Sequence, residues 1–205
     1  MGEENKRSIY KNLSPLDHRY YLANRELYEQ LELYLSEEAA VHYGILVEKA
    51  LLLAHLSNLG LDSKEIVDRV EAAAGEVTPE EVYREEEKTH HNVRALGRVF
   101  EKYLPEETRP CVHVGATRVD ILDTAAALRI RDAVRDVVVP LCVDLVDELI
   151  GVAKREAETP QVGRTHGQHA VPVTVGCALA EYVARLGKII PRILDAADGL
   201  AGKLS

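Results

Sequence analysis

From about Val119 to Glu158 the chain carries one continuous helical pattern, with Ala, Leu, Ile and Val recurring at three- and four-residue steps. About 38 residues of helix would extend roughly 57 Å, well beyond an ordinary globular helix. An element of that length has few homes: a bundle of long helices, or an extended interface between subunits. Pro140 interrupts the pattern and predicts a kink, because proline lacks the N–H and crowds the preceding turn. A second long pattern runs from about Val173 to Leu200, with Pro191 as another expected kink.

The rest of the chain also reads as helix. Residues 1–24 look irregular, and Arg25 to Leu59 looks helical through Leu27, Leu31, Leu35, Leu46, Ala50 and Leu53. Gly60 suits the position just past a helix end. A short helix is expected over 63–74, capped by Asp62 or Ser63. Thr78, Pro79 and Glu81 form a capping box that opens a helix expected to reach Tyr103. Pro105 and Pro110 then break the pattern. A domain boundary is placed there, giving an N-terminal helical domain over 1–105 and an incomplete central bundle domain over 106–205. No internal repeat and no strand-like alternation is visible, so the fold class is all-α. The core must be aliphatic, since the chain has nine Tyr, one Phe and no Trp.

Charge and cysteine usage exclude some functions. The formal charge is −9 and no basic stripe is present, which argues against a nucleic-acid partner. Glu85-Glu86-Glu87 reads as a solvated helix face. Cys111, Cys142 and Cys177 are scattered, with no CxxC pair, as in a reducing compartment. The N-terminus lacks an apolar h-region and no apolar run approaches a membrane span, so the expectation is a cytoplasmic protein without a membrane partner.

Three polar stretches stand out, each at a helix end or break: SPLDHRYY at 14–21, the region from THHNV to HVGATRVD at 89–120, and GRTHGQHAVP at 163–172. Together they hold His18, His90, His91, His113, His166 and His169. His42 and His55 lie inside a helical pattern and read as ordinary core or surface residues. Any single loop histidine is most simply satisfied by backbone, but three such breaks in one helical chain point to a site. Thr117 is either an N-cap or part of an anion cradle, because helix N-termini bind carboxylate and phosphate well. Cys111-x-His113 with His166-x-x-His169 matches no common structural zinc spacing, so no metal is expected.

These stretches resemble the adenylosuccinate lyase family of the fumarase/aspartase superfamily. SPLDHRY is similar to the family's Ser-Pro-Leu-Asp-Gly-Arg-Tyr, and HHNV to its His-Asp-Val. HVGAT followed by DILDT resembles its His-x-Gly-x-Thr-Ser-x-Asp segment, and GRTHGQHAVP is nearly its standard text. Four motifs in order are far more specific than any one alone. The resemblance implies a β-elimination without cofactor, splitting adenylosuccinate, or the succinyl-carboxamide ribotide of purine synthesis, with release of fumarate. It implies a homotetramer with shared active sites. By correspondence, His166 is the general acid that protonates the leaving nitrogen, and an imidazole suits that role near neutral pH. His91 is a second catalytic histidine, within the stretch His90, His91 and Asn92. Arg19 and Tyr20 match the pair that holds the nucleotide phosphate. Thr117 and Arg118 fall where a succinyl carboxylate binds, Thr165 contacts substrate, and His113 lies near the site. His169 is left as structural.

Several positions depart from the family text. His18 replaces a Gly, Asn92 replaces an Asp, and Arg118 replaces a Ser. Arg118 either pairs with a carboxylate or fills its pocket. Family members are more than twice this length, and their later part carries a Gly-Ser-Ser-x-Met-Pro-x-Lys loop whose Ser is the catalytic base. Nothing like it occurs before Ser205. The chain therefore reads as an N-terminal portion, inactive by itself. Two other readings stand beside this one: a different lyase or cycloisomerase of the superfamily, such as an argininosuccinate lyase or a carboxymuconate cycloisomerase, and a helical relative that has lost its chemistry.

Overall fold

The computed structural model describes residues 8–14 and 17–204, and for Asp17 and His18 the backbone alone. The reading of the first seven residues, of Pro15-Leu16 and of the His18 side chain lies outside the described residues. The chain forms two units, Met1–Ala133 with Leu200–Ser205, and Val134–Gly199. The Pro105–Pro110 break, where the sequence placed a domain boundary, falls inside the first unit.

The first unit begins with a helix where irregular chain was expected, α1 (Asp17–Ala23). The pattern from Arg25 to Leu59 then divides into α2 (Arg25–Leu35) and α3 (Glu37–Asn58). Ser36 is the cause. Its extended backbone ends one helix, and its hydroxyl serves both: it donates to the Glu32 carbonyl at 2.6 Å and accepts the Ala39 N–H at 3.1 Å. The Arg129 guanidinium clamps the joint, donating to the Tyr34 and Ser36 carbonyls at 2.7 and 3.2 Å. Arg25–Asn58 as a whole is long and apolar enough to cross a membrane by length and composition, contrary to the sequence expectation. Here the stretch is broken at Ser36, and α3 supplies Ile45, Leu52 and Leu56 to the core.

Local signals held where the sequence was explicit. α3 ends at Gly60 (φ 70°), with Leu61 N–H on the Leu56 carbonyl and Gly60 N–H on the Ser57 carbonyl. α4 (Lys64–Gly75) is capped by Ser63, and α5 (Pro79–Thr89) by Thr78. α5 stops well short of Tyr103, because His90 turns left-handed (φ 50°) and His91 opens α6 (Asn92–Tyr103). α6 packs Val93, Ala95, Val99 and Phe100 against α3 residues and Val70 of α4. Glu85 is buried rather than solvated. It faces α6 and accepts from Lys88 at 2.9 Å and Arg98 at 3.3 Å. α7 (Arg118–Ala133) completes the unit, and Lys203 returns to it through both its backbone N–H and its carbonyl, each 3.1 Å from the Thr124 hydroxyl.

The second unit opens with a π-helical turn, Val134–Val138, before α8 (Val139–Arg155). The disturbance expected at Pro140 thus takes the form of a widened turn just upstream, where the carbonyl that proline cannot bond is accommodated. Pro191 sits inside α9 (Val175–Asp198) without ending it. The polar break between α8 and α9 is a β-hairpin, β1 (Pro160–Thr165) against β2 (Gln168–Thr174), where the sequence suggested no strand. The helices dominate nonetheless, and the architecture is all-α.

Candidate active site

His91 is placed by an unusual cap. Left-handed His90 reverses the chain, and extended His91 precedes α6. Its Nδ1 accepts the Arg94 backbone N–H at 3.1 Å, the task Ser, Thr, Asp or Asn usually performs. A ring nitrogen that accepts carries no proton, so neutral His91 is protonated on Nε2. The neighbouring Asn92 uses its Oδ1 on the Val93 N–H at 2.9 Å. His90 is exposed at the turn.

His113 lies in the segment before α7, also with positive φ (59°), and Gly115 follows at 72°. His55 holds this segment by bonding the Val114 carbonyl through Nε2 at 2.9 Å, a specific role for a residue the sequence left as ordinary. His113 Nδ1 is 2.6 Å from Oε1 of Glu48, a wholly buried carboxylate on α3. The other oxygen, Oε2, has no hydrogen-bond partner among the described residues. Burial pushes the Glu48 pKa above its ordinary value of 4.5, with His113 opposing the rise and Glu101 adding to it.

A raised carboxyl pKa means the folded state holds its proton longer than the unfolded state. Its stabilising contribution is complete below pH 4.5 and is lost as pH rises through the folded value. Glu48→Gln should therefore gain stability relative to wild type as pH climbs above 4.5, then level off. Urea unfolding of both chains across pH 4 to 9 would check this, and a gap independent of pH would contradict it.

His91 and His113 line one groove of about 470 Å³ together with Arg94, Gly97, Arg98 and Glu101. Arg94 has no ion-pair partner within 4 Å among the described residues, so the groove presents its guanidinium beside two imidazoles, with the Glu101 carboxylate on the same lining. Thr117 and Arg118 are exposed at the start of α7. The Thr117 N–H is already taken by buried Asp120 Oδ2 at 2.8 Å, and Asp120 Oδ1 accepts Lys203 Nζ at 2.7 Å. The Thr117 hydroxyl and the Arg118 side chain remain to meet an anion. Arg19 and Tyr20 are exposed on α1.

Thr165 and His166 belong to the second unit. The hairpin turn is the dipeptide His166-Gly167, with φ 48° and 73°, between the paired residues Thr165 and Gln168. Two consecutive left-handed residues make the two-residue turn that matches strand twist. Glycine accepts this readily, whereas a histidine there is strained by about 1 kcal/mol or more. His166 is exposed at the tip, and His169 sits on β2 opposite Arg164. Gly163 faces the irregularity in β2, and a Cβ there would collide with the Val171 carbonyl oxygen.

Residues 14–204 match the model of a family described as lyase. The chain belongs to this lyase family. It lies within the fumarase/aspartase superfamily, as its relatives show. It is 32% identical over 185 residues to the adenylosuccinate lyase of Methanocaldococcus jannaschii, covering 89% of this chain and 38% of that protein. It is also 45% identical over 103 residues to a 3-carboxy-cis,cis-muconate cycloisomerase of Pseudomonas putida, covering 50% of this chain and 24% of that protein. Among solved structures, a 3-carboxy-cis,cis-muconate lactonizing enzyme from Pseudomonas putida superposes with a TM-score of 0.70 at 29% identity, over 89% of this chain and 41% of that one. The chain thus spans about two fifths of the length of its lyase relatives.

Sequence reasoning missed Glu48, Arg94 and Arg98 in this member of the lyase family. Glu48 carried a legible signal. It lies on the same helical stripe as Ile45, Leu52 and Leu56, and a lone carboxylate in an apolar stripe needs a buried partner.

Proposed function

We propose that the chain serves a lyase that cleaves adenylosuccinate, and the corresponding succinyl-carboxamide ribotide, with release of fumarate. The observation that carries this reading is the exposed Arg19–Tyr20 pair on α1, inside the stretch that resembles the nucleotide-binding text of adenylosuccinate lyases. Relatives named adenylosuccinate lyase that cover most of the chain support it. The reaction is a β-elimination. A base removes a proton from the carbon beside a carboxylate, and an acid protonates the departing nitrogen. His166 is that acid, presented at the tip of a turn with its ring exposed. Charge gathers on the carboxylate as the proton leaves and must be met by fixed donors. His91 Nε2–H, Arg94, the Thr117 hydroxyl and Arg118 are the groups of the first unit suited to that task. The reading includes a homotetramer in the cytoplasm and no cofactor.

Arg19 decides between this and the second reading. The muconate-type relatives favour a substrate with carboxylates and no nucleotide. Arg19→Ala should weaken AMP binding about 30-fold, the loss of one guanidinium–phosphate contact of about 2 kcal/mol. Calorimetry would read it. Equal AMP affinity in both chains, or none in the wild type, would move the assignment to the cycloisomerase branch. The 205 residues contain no Gly-Ser-Ser-x-Met-Pro-x-Lys segment to supply a base. Steady fumarate formation by the purified 205-residue chain is accordingly not expected, and detecting it would overturn this division of roles.

A further inference from the structure

The two histidines of the groove differ in what lies behind them. Behind His91 is a backbone N–H, a pure donor, which fixes the ring with Nδ1 bare and the proton on Nε2. Behind His113 is the Glu48 carboxylate, 2.6 Å away and buried completely. An ionised carboxylate only accepts, so neutral His113 must place its proton on Nδ1 and leave the Nε2 lone pair free. From this contrast we infer that Glu48 is a positioning residue. It makes His113 the proton-accepting partner, and His91 the proton-donating partner, of one groove.

The proton inventory supports that division. With the lower proton count, the dyad is a carboxylate plus an Nδ1-protonated ring, and Nε2 accepts. A proton arriving at Nε2 yields an imidazolium held against the carboxylate. The Nδ1 proton can then shift to Oε1, which leaves a neutral carboxylic acid and an Nε2-protonated ring. Burial of Glu48, which raises its pKa, favours that transfer. Nε2 is thus the one position at which the dyad exchanges a proton with a ligand, and Glu48 stores the charge behind it. The left-handed backbone of His113, and the His55 bond to the Val114 carbonyl, hold the ring in reach of α3. Arg94 adds a cation to the same groove, and Glu101 a carboxylate that disfavours a ligand anion on its own side. The site therefore suits a ligand group with an anionic acceptor for Arg94 and His91 and a proton to share with His113, such as a half-protonated phosphate or a carboxylic acid. The catalytic meaning of this arrangement rests on the lyase reading above.

Nitrogen-15 NMR of the full 205-residue chain tests it through the ring signals of His91 and His113. At the alkaline end of each titration the wild type should show Nδ1 protonated on His113 and Nε2 protonated on His91. Glu48→Leu should return neutral His113 to the Nε2-protonated form that free imidazole prefers, with His91 unmoved. Glu48→Gln preserves shape and offers either a donor or an acceptor, so a mixture of both forms is expected. A neutral wild-type His113 protonated on Nε2 would overturn the inference, and needs no variant to detect. A ring form unchanged in both variants would overturn it equally, reducing Glu48 to a packing element. AMP binding is read separately on the same samples. Its absence alongside the tautomer switch would sink the nucleotide reading and leave the dyad standing.

Discussion

Phe100→Ala should destabilise the first unit by about 4 kcal/mol, the usual cost of emptying a buried phenylalanine site. Phe100 is the only Phe in the chain and is completely buried. It projects from α6 into a cluster built by Leu52, Leu56, Val70, Val99 and Leu104, all between 0% and 2% exposed. No other ring belongs to this cluster among the described residues, so none stands ready to collapse into the void. Domains of this size have about 5–15 kcal/mol in hand, so the loss would bring the unit close to its unfolding threshold. Phe100→Leu keeps most of the volume and should cost less than about 2 kcal/mol. Urea unfolding with comparable m-values would measure both. A loss under about 1 kcal/mol for alanine would mean that α6 does not carry the core as drawn.

Gly176→Ala should act on the other unit and on the hairpin. Gly176 lies in the first turn of α9 against the end of α8. A Cβ there would strike the Ala153 carbonyl oxygen and come within 2.7 Å of Ala157 Cα, both rigid backbone. The two helices must separate to admit it, at about 2–3 kcal/mol. Separation strains two bonds at the root of the hairpin, Gly176 N–H to the Glu156 carbonyl and Val175 N–H to the Thr159 carbonyl, each 2.9 Å. The expected signature is faster amide exchange across residues 160–174, with the α3 and α6 amides unchanged. Gly151 on α8 and Gly187 on α9 serve as controls. Nothing lies within 4 Å of a Cβ at either, and alanine there should stabilise by about 0.5–1 kcal/mol through helix propensity.

What the sequence disclosed and what it hid divide along the range of the cause. The caps at Ser63 and Thr78 and the left-handed Gly60 are local events, written in four or five consecutive residues, and they stand as read. The breaks at Ser36 and His90 depend on more than neighbours. Ser36 is stabilised by Arg129 from a distant helix, and His91 performs a cap that imidazoles seldom perform. The hairpin escaped notice because its strands are mixed in polarity and its turn begins with a histidine rather than the usual Asn or Asp. Chemistry-bearing residues at the breaks were legible by type, and His91 and His113 line one groove. Glu48 shows as a lone carboxylate in an apolar stripe, but its partner stayed hidden, because His113 is 65 positions away.

The hairpin turn also limits how this stretch can change over time. Side chains alternate faces along each strand, so one inserted or deleted residue in 160–174 turns every later side chain over. The chain already spends one such irregularity opposite Gly163, where an added Cβ has no room. A two-residue turn with both backbones left-handed leaves no slack to take up a second. Related chains can be expected to vary in length at the Pro105–Pro110 segment and at their ends, while Pro160 to Thr174 drifts in composition yet keeps its count. In this chain the residue count of the hairpin and its left-handed turn together keep His166 at the tip.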